Sequence, residues 1–349
     1  MKNRLLYAFA AMSVLALACG CEEQKVVDVP APQPVIKPFT FTAVAGADTR
    51  VDAAFGSNEN TINFTWSEGD CISVCFIKAE ELAAYDSDYH SFEGETYTFS
   101  LKSGAGTTKA VFQSEDMNPS EILEPGVEYI MNAVYNPSVL ENQGIWGIWD
   151  NHIECYRSVE ADQTYDANNP LDNLASMDML GAYPVSVYQD STPELQFAHG
   201  IAVYRIRLHN TGLDPLSVAS VEHPSTRETY GFYVPVDAGT EAGGSFGESW
   251  GEEVHGLLTM KSPLVIDPGE TTSLYIPIIA CQVYDDGGVP RTHIVTLSNG
   301  KTITVVKNPP VGFKLCAGHM YTTTLAIRSE MATEESSIPP ITGSTEDDF

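Results

Sequence analysis

Positive charge is scarce in this chain. Eighteen lysines and arginines face 47 aspartates and glutamates, for a formal net charge of −29 at pH 7. A polyanion of this kind gains nothing from phosphate contacts, so nucleic acid is not expected as a partner. The same sign argues against loose attachment to anionic lipid headgroups. The acidity reads as solubility and self-repulsion at a crowded surface.

Long hydrophobic runs are missing too. The one sustained apolar stretch, Leu5 to Ala18, falls short of the ~20 residues that span a bilayer. Helical patterning is nearly absent, being confined to Lys78–Ala84 and a turn at Ser120–Leu123. Without a strand–helix rhythm a doubly wound α/β sheet is excluded. The 8 histidines scatter, with no H-E-x-x-H and no paired-cysteine ligand pattern, and no G-x-S-x-G elbow occurs. No metal, cofactor or catalytic role is therefore expected. His199, in F-A-H-G, has no second histidine at ligand spacing and reads as a buried or strand-end residue. Asp285-Asp286-Gly287-Gly288 lacks the further carboxylates of a calcium loop and reads as a tight turn.

Cysteine is sparse and odd in number. Beyond Cys19 and Cys21 there are Cys71, Cys75, Cys155, Cys281 and Cys316, too widely spaced for a disulfide framework. Cys71 and Cys75 share one face of a strand, ~13 Å apart at ~3.3 Å per residue. That is too far for a disulfide, so both read as small buried hydrophobes.

What is present begins with a leader. Lys2 and Arg4 precede the apolar run, and small residues lead to Cys19 and Cys21. This is a secretory signal, and its cysteine ending resembles that of bacterial lipoproteins, in which the cysteine becomes the acylated first residue. Both cysteines fit a loose acylation motif. Glu22 and Glu23 resemble an acidic tag for export to the outer face, which favours Cys21. Residues 1–21 are assigned to the signal and lipidated cysteine. Residues 22–38, rich in proline, form a semi-rigid spacer.

The roughly 330 residues behind the signal suffice for two domains. From Phe39 onward short runs alternate apolar and polar residues: Phe39 to Ala45, Ile62 to Trp66, Ile72 to Phe76, Ala202 to Leu208, Thr302 to Val306 and Tyr321 to Ile327 among them. Glycine, asparagine and proline turns separate them, and Ser298-Asn299-Gly300-Lys301 is a clear hairpin signal. The pattern predicts an all-β protein of sandwich type. The expected domains are 39–190 and 191–328, divided in the polar stretch Tyr188–Glu194. Glu141 to Asp178 reads as a long loop. Residues 329–349 read as a disordered acidic tail.

Two further features could bind or carry sugar. Trp146 and Trp149, with Asp150 and His152 beside them, could clamp a glycan from a loop, or cover the sandwich core. Asp190-Ser191-Thr192 resembles an O-glycosylation signal at Ser191, although Thr192 fits its apolar third position poorly.

Taken in order, the strands resemble those of the fimbrillin-family lipoproteins. WSEGDCISVCF (Trp66 to Phe76) is similar to their W-x-x-G-D-x-I-x-V motif. ADTR at 47–50 matches the end of their opening strand, and EYIMNAVYNP (Glu128 to Pro137) their tyrosine-rich strand. LQFAHGIAVYRIRL (Leu195 to Leu208) resembles their F-x-H strand entry, and LCAGHMYTTTLAI (Leu315 to Ile327) their closing strand. The resemblance spans about Phe39 to Ile327. It implies two tandem transthyretin-like β-sandwich domains, of the immunoglobulin-like topology class, in a subunit of type V pili or a surface relative. It implies a fimbrial location, an outer-membrane anchor through acyl chains, and other pilus subunits or host and bacterial surface ligands as partners. It also implies proteolytic processing after Arg50, loss of the first strand, and its replacement by a strand from another subunit. The tail offers only scattered apolar residues for such a donor, with Pro339 and Pro340 between Ile338 and Ile341, which favours an anchor, accessory or tip role over the major stalk. The alternative is a glycan-binding surface lipoprotein serving nutrient uptake.

Overall fold

Period-two alternation carries most of this chain into strands, as its computed structural model shows. The structure describes residues 38–45, 52–55, 62–82, 90–91, 95–114, 117–135, 147–149, 152–158, 162–177, 180–235, 248–279, 283–284, 291–308, 313–314 and 318–333. The expected signal and spacer, 1–21 and 22–38, lie outside these residues except for Pro38. Lys37–Phe349 forms one unit, described below.

The strands run β1 (Thr40–Ala45), β2 (Asp52–Phe55), β3 (Ile62–Thr65), β4 (Cys71–Lys78), β5 (His90–Ser91), β6 (Thr96–Ser103), β7 (Lys109–Gln113) and β8 (Tyr129–Tyr135). Next come β9 (Gly147–Trp149), β10 (His152–Ser158), β11 (Asp162–Tyr165), β12 (Leu180–Ala182), β13 (Val185–Val187), β14 (Glu194–His199), β15 (Ile201–Asn210) and β16 (Leu216–Pro235). The last are β17 (Glu248–Ile266), β18 (Thr271–Ile279), β19 (Val283–Tyr284), β20 (Arg291–Leu297), β21 (Thr302–Lys307), β22 (Phe313–Lys314) and β23 (Met320–Ile327). Among the described residues three short α-helices, α1 (Ala79–Leu82), α2 (Pro119–Ile122) and α3 (Asp172–Met177), interrupt them.

The first sheet has the order β12-β14-β1-β7-β6-β4-β8-β13. β12 pairs with both β14 and β8, so the hydrogen bonding runs in a closed circuit around one core. A closed circuit leaves few free edges. Alternate residues point inward: Phe41 and Ala43 of β1, Ile72 and Val74 of β4, Ala110 and Phe112 of β7, Leu195 and Phe197 of β14. Trp66 sits among them, 1% exposed, edge-on to Phe112, Tyr135 and Phe197 at centroid distances of 5.0, 5.6 and 5.5 Å. The Ser67–Asp70 turn holds it there. Gly69 takes φ +94°, the Ser67 amide donates to Asp70 Oδ2 at 2.6 Å, and the Tyr135 hydroxyl donates to Asp70 Oδ1 at 3.3 Å. Trp, Gly and Asp of that run are thus the parts of one turn over the core. Cys71 and Cys75, on β4, are not in disulfides; Cys75 is buried and Cys71 half-buried.

The second core lies between two sheets. The three-stranded sheet β18-β15-β23 faces β16, β17, β20, β21 and β11. Ala202, Tyr204, Ile206 and Leu208 of β15 meet Val218 and Val221 of β16 and Val295 of β20 across the layers. The outer face of the three-stranded sheet is covered as well: Val203 and Tyr275 pack against Ile62 and Phe64 of β3 and Leu171 and Leu174 beside and within α3.

Three expectations change. The strand beginning at Leu195 does not open the second domain: β14 pairs with β1 and β12, and Leu195 and Phe197 lie in the first core. The switch comes at Gly200, between β14 and β15, because the polar Tyr188–Ser191 stretch is a turn within the first sheet. Glu141–Asp178 is not a loop throughout, since it holds β9, β10, β11 and α3. β10 and β11 are short and borrow their hydrogen bonds from β16 and β17, which at 20 and 19 residues outrun the usual strand and supply partners beyond the sandwich, while β9 pairs with β10 and β5. The start of the tail is structured: Ser329–Met331 forms a 3-10 turn, Met331 and Ala332 pack on the second core, and Thr333 bridges to Thr302, while 334–349 lie outside the described residues.

Candidate functional site

β1 is the strand whose placement bears most directly on function. Its sequence, TFTAVA, alternates half-buried and buried residues. It lies parallel to β14, with Thr42 opposite Glu194 and Ala45 opposite Phe197, and antiparallel to β7, with Phe41 opposite Phe112. Phe41 stacks on Phe112 at 5.7 Å and tilts against Phe99 at 5.2 Å. Phe39, just before the strand, meets Phe76 edge-on at 5.6 Å and Phe99 at 6.1 Å. Burial of each phenylalanine contributes about 1.5–3 kcal/mol. Withdrawing β1 would open the circuit between β7 and β14, leaving two unpaired edges and an apolar trough floored by Phe99, Phe112 and Phe197.

The candidate residues fall unevenly. Cys19, Cys21, Arg50, Trp146 and Asp150 lie outside the described residues. So do Asp285 to Gly288. Trp149 ends β9, where its backbone pairs with His152 of β10. Ser191 closes the turn before β14: its hydroxyl accepts from the Tyr188 amide at 2.8 Å, and its own amide donates to the Tyr188 carbonyl at 3.0 Å. It is half-buried, beside an exposed Asp190. His199 is 5% exposed and lies against Phe64, ring centroids 4.8 Å apart. Among the described residues no group of three or more His, Cys, Asp or Glu side chains is placed to share a metal ion.

The sequence reading passed over a buried polar cluster in the second core. Tyr204, His223 and His293 are all at most 2% exposed, and Tyr204 Oη lies 2.7 Å from His293 Nε2. Burial pushes His293 down to about 3, and the neighbouring His223, Arg291 and Lys307 add to this. A histidine held neutral over the whole physiological range is a hydrogen-bonding core residue, not a proton shuttle. The signal was available in His293-Ile294-Val295, whose alternation places His293 and Val295 on one inward face.

No protein-family model matches the chain, and no curated protein matches it. Solved structures do. A protein named for cell adhesion from Bacteroides ovatus matches with a TM-score of 0.50 at 16% identity, over 85% of this chain and 95% of its own. One of the same description from Bacteroides uniformis matches at 0.48 and 14% identity, over 86% and 96%. A fimbrial assembly protein from Parabacteroides distasonis matches at 0.37 and 10% identity, over 85% and 94%. At these identities the likeness to the Bacteroides ovatus protein is one of fold, and it extends over nearly the whole of both chains.

Proposed function

We propose that this chain is a fimbrillin-like cell-surface lipoprotein, an adhesive or structural pilus component with two tandem transthyretin-like bodies. Acylation, at Cys21 in preference to Cys19, would tether it to the outer membrane, with the proline-rich stretch lifting the body away. It works by presentation and assembly and carries out no reaction. The observation that supports this reading best is the position of β1. It is the opening strand of the body, it lies between β7 and β14, and it roofs an aromatic core. Arg50 follows it in sequence, so one cut there would release a strand that another subunit's strand could replace, with main-chain hydrogen bonds to β7 and β14 and apolar side chains in the pockets of Phe39, Phe41 and Ala43. The names of the structural neighbours, cell adhesion and fimbrial assembly, agree with this role. The proline-broken tail makes the chain an acceptor of a strand more than a donor, hence an anchor, accessory or tip subunit.

Mass spectrometry of protein purified from the cell surface tests the reading. Assembled material should begin at Val51, and Arg50→Ala should abolish that species. An intact amino terminus in all surface material would remove strand exchange from the account.

A further inference from the structure

The outer face of the three-stranded sheet has two ends of different character. Around Val203 and Tyr275 it is covered by Ile62, Phe64, Leu171 and Leu174. Toward Asn210 it is open: Thr271, Ala326 and Arg328 are exposed, and Arg207, His209 and Thr324 half-buried. Strand alternation puts Arg207 and His209 of β15 on this face, because Ile206 and Leu208 turn into the second core. The parallel register sets Arg207 beside Thr324 and His209 beside Ala326 of β23. Arg328, still extended at φ −157° and ψ 156°, is the next outward position of the same row. Successive outward positions lie ~7 Å apart along a strand, so the three residues stand within about 15 Å of one another.

Such a group stands out in a chain with 18 lysines and arginines against 47 acidic residues. Lys78, Lys109 and Lys261 each meet a carboxylate. Arg207, His209 and Arg328 enter no ion pair among the described residues. His209 Nδ1 lies 3.0 Å from Thr271 Oγ1 and 3.2 Å from the Glu270 carbonyl oxygen, which fixes its ring. Asp214, Glu270 and Glu330 stand exposed on the surrounding turns, not on the face itself. Leu213 belongs to the rim: a Cβ at Gly212 would come 3.1 Å from that of Arg328, and Leu213, one residue on, is 87% exposed. Unpaired cations beside an apolar knob suit an acidic segment that also carries apolar side chains.

We propose that this face is the docking site of the chain's own carboxyl-terminal segment, residues 334–349. Its sequence, EESSIPPITGSTEDDF, holds the carboxylates of Glu334, Glu335, Glu346, Asp347 and Asp348, no lysine or arginine, and the apolar Ile338, Ile341 and Phe349. It leaves the body at Thr333, which is hydrogen-bonded to Thr302 at the start of β21. A segment of this length reaches at most ~55 Å, far more than the ~10 Å between layers that it must cross. Tethering gives it an effective concentration in the millimolar range, enough for contacts that are weak one by one. A docked segment is withheld from other subunits, in line with an acceptor role. The docking does not depend on a cut after Arg50, so each can fail without the other.

A Glu-specific endoprotease tests the proposal. Cleavage after Glu346 in the full chain is followed by intact-mass spectrometry, with a synthetic peptide of residues 334–349 in the same tube as the standard. At low salt the chain should be cut about five-fold more slowly than the peptide. In about 0.5 M sodium chloride, where charges are screened beyond a few ångströms, the two rates should converge. Arg207→Gln with Arg328→Gln should bring the rates together at low salt. That pair makes the body more acidic, so slowing by general electrostatic repulsion would not be relieved by it. Asp347→Asn with Asp348→Asn, measured against its own peptide, should also bring the rates together, and it decides the matter should the arginine variant fail to fold. Equal rates at low salt, a difference that salt leaves in place, or protection retained by the folded arginine variant or by the asparagine variant would overturn the proposal.

Discussion

Lys109 and Glu194 meet at 2.6 Å across the outside of β1. Lys109 belongs to β7, opposite Val44, and Glu194 to β14, opposite Thr42, so the ion pair straddles the strand between them. Its side chains are 60% and 48% exposed, and such a pair contributes about 0–1 kcal/mol. The hold on β1 is therefore on its inner face. Lys109→Ala should leave urea unfolding and amide protection of β1 nearly unchanged, whereas Phe41→Ala should cost about 3–5 kcal/mol. The reverse order would mean that the strand is held by its surface and not by its aromatic roof.

Asn210 ends β15 and is fully buried. Its Nδ2 donates to the Asp214 carbonyl at 2.8 Å and the Ile266 carbonyl at 2.9 Å, and its Oδ1 accepts from the Gly212 amide at 2.9 Å. One side chain thus joins the 211–215 loop to the end of β17. Asn210→Leu leaves those backbone groups without partners and should cost about 2–4 kcal/mol in denaturant unfolding. Asn210→Asp places a carboxylate against two carbonyl oxygens. It should be worse at pH 7 and recover in part as the acid protonates.

His293 predicts a pH dependence with a definite sign. Its folded pKa is about 3 against an ordinary 6.5. Between those values the unfolded chain binds a proton that the folded one does not, so its contribution to stability is present above pH 6.5 and lost as pH falls toward 3. The slope approaches about 1.4 kcal/mol per pH unit within that window. His293→Gln, which keeps a partner for Tyr204, should lose about 2 kcal/mol less than the parent between pH 7 and 5 in urea titrations. Parallel curves would show that His293 is not the group responsible.

Two glycines separate backbone strain from steric conflict. Gly69 and Gly104 both have positive φ, +94° and +99°. A Cβ at Gly69 meets open space, while one at Gly104 would stand 2.5 Å from the Lys109 carbonyl oxygen. Gly69→Ala should cost about 1–2 kcal/mol from conformation alone. Gly104→Ala should cost distinctly more, because the atom it strikes is backbone in the adjoining β7. Comparison of their melting temperatures gives the answer.

Strands whose own residues supply the alternation were legible. Phe39–Ala45, Ile72–Phe76 and Thr302–Val306 read directly as β1, β4 and β21, and the hairpin at Ser298–Lys301 forms with the Gly300 amide donating to Leu297 at 2.9 Å. The distal half of β16 and the strands β10 and β11 were not, because β10 pairs with β16 and β11 with β17, partners far away in sequence. The domain boundary was misplaced because a polar, proline-bearing turn inside a sheet has the composition of a linker. At the candidate sites, β1 was legible from its alternation. The buried Tyr204–His293 contact was not, since the two residues stand 89 residues apart and only the facing of β15 and β20 across the second core makes them neighbours.

Immunogold electron microscopy of intact cells, with antibody raised against the 38–333 body, tests the central claim most directly. Gold confined to the tips or bases of surface filaments, and lost from them in a strain carrying Arg50→Ala, is the result predicted for a strand-accepting pilus subunit. Gold spread flat on the envelope with no association to filaments would contradict it.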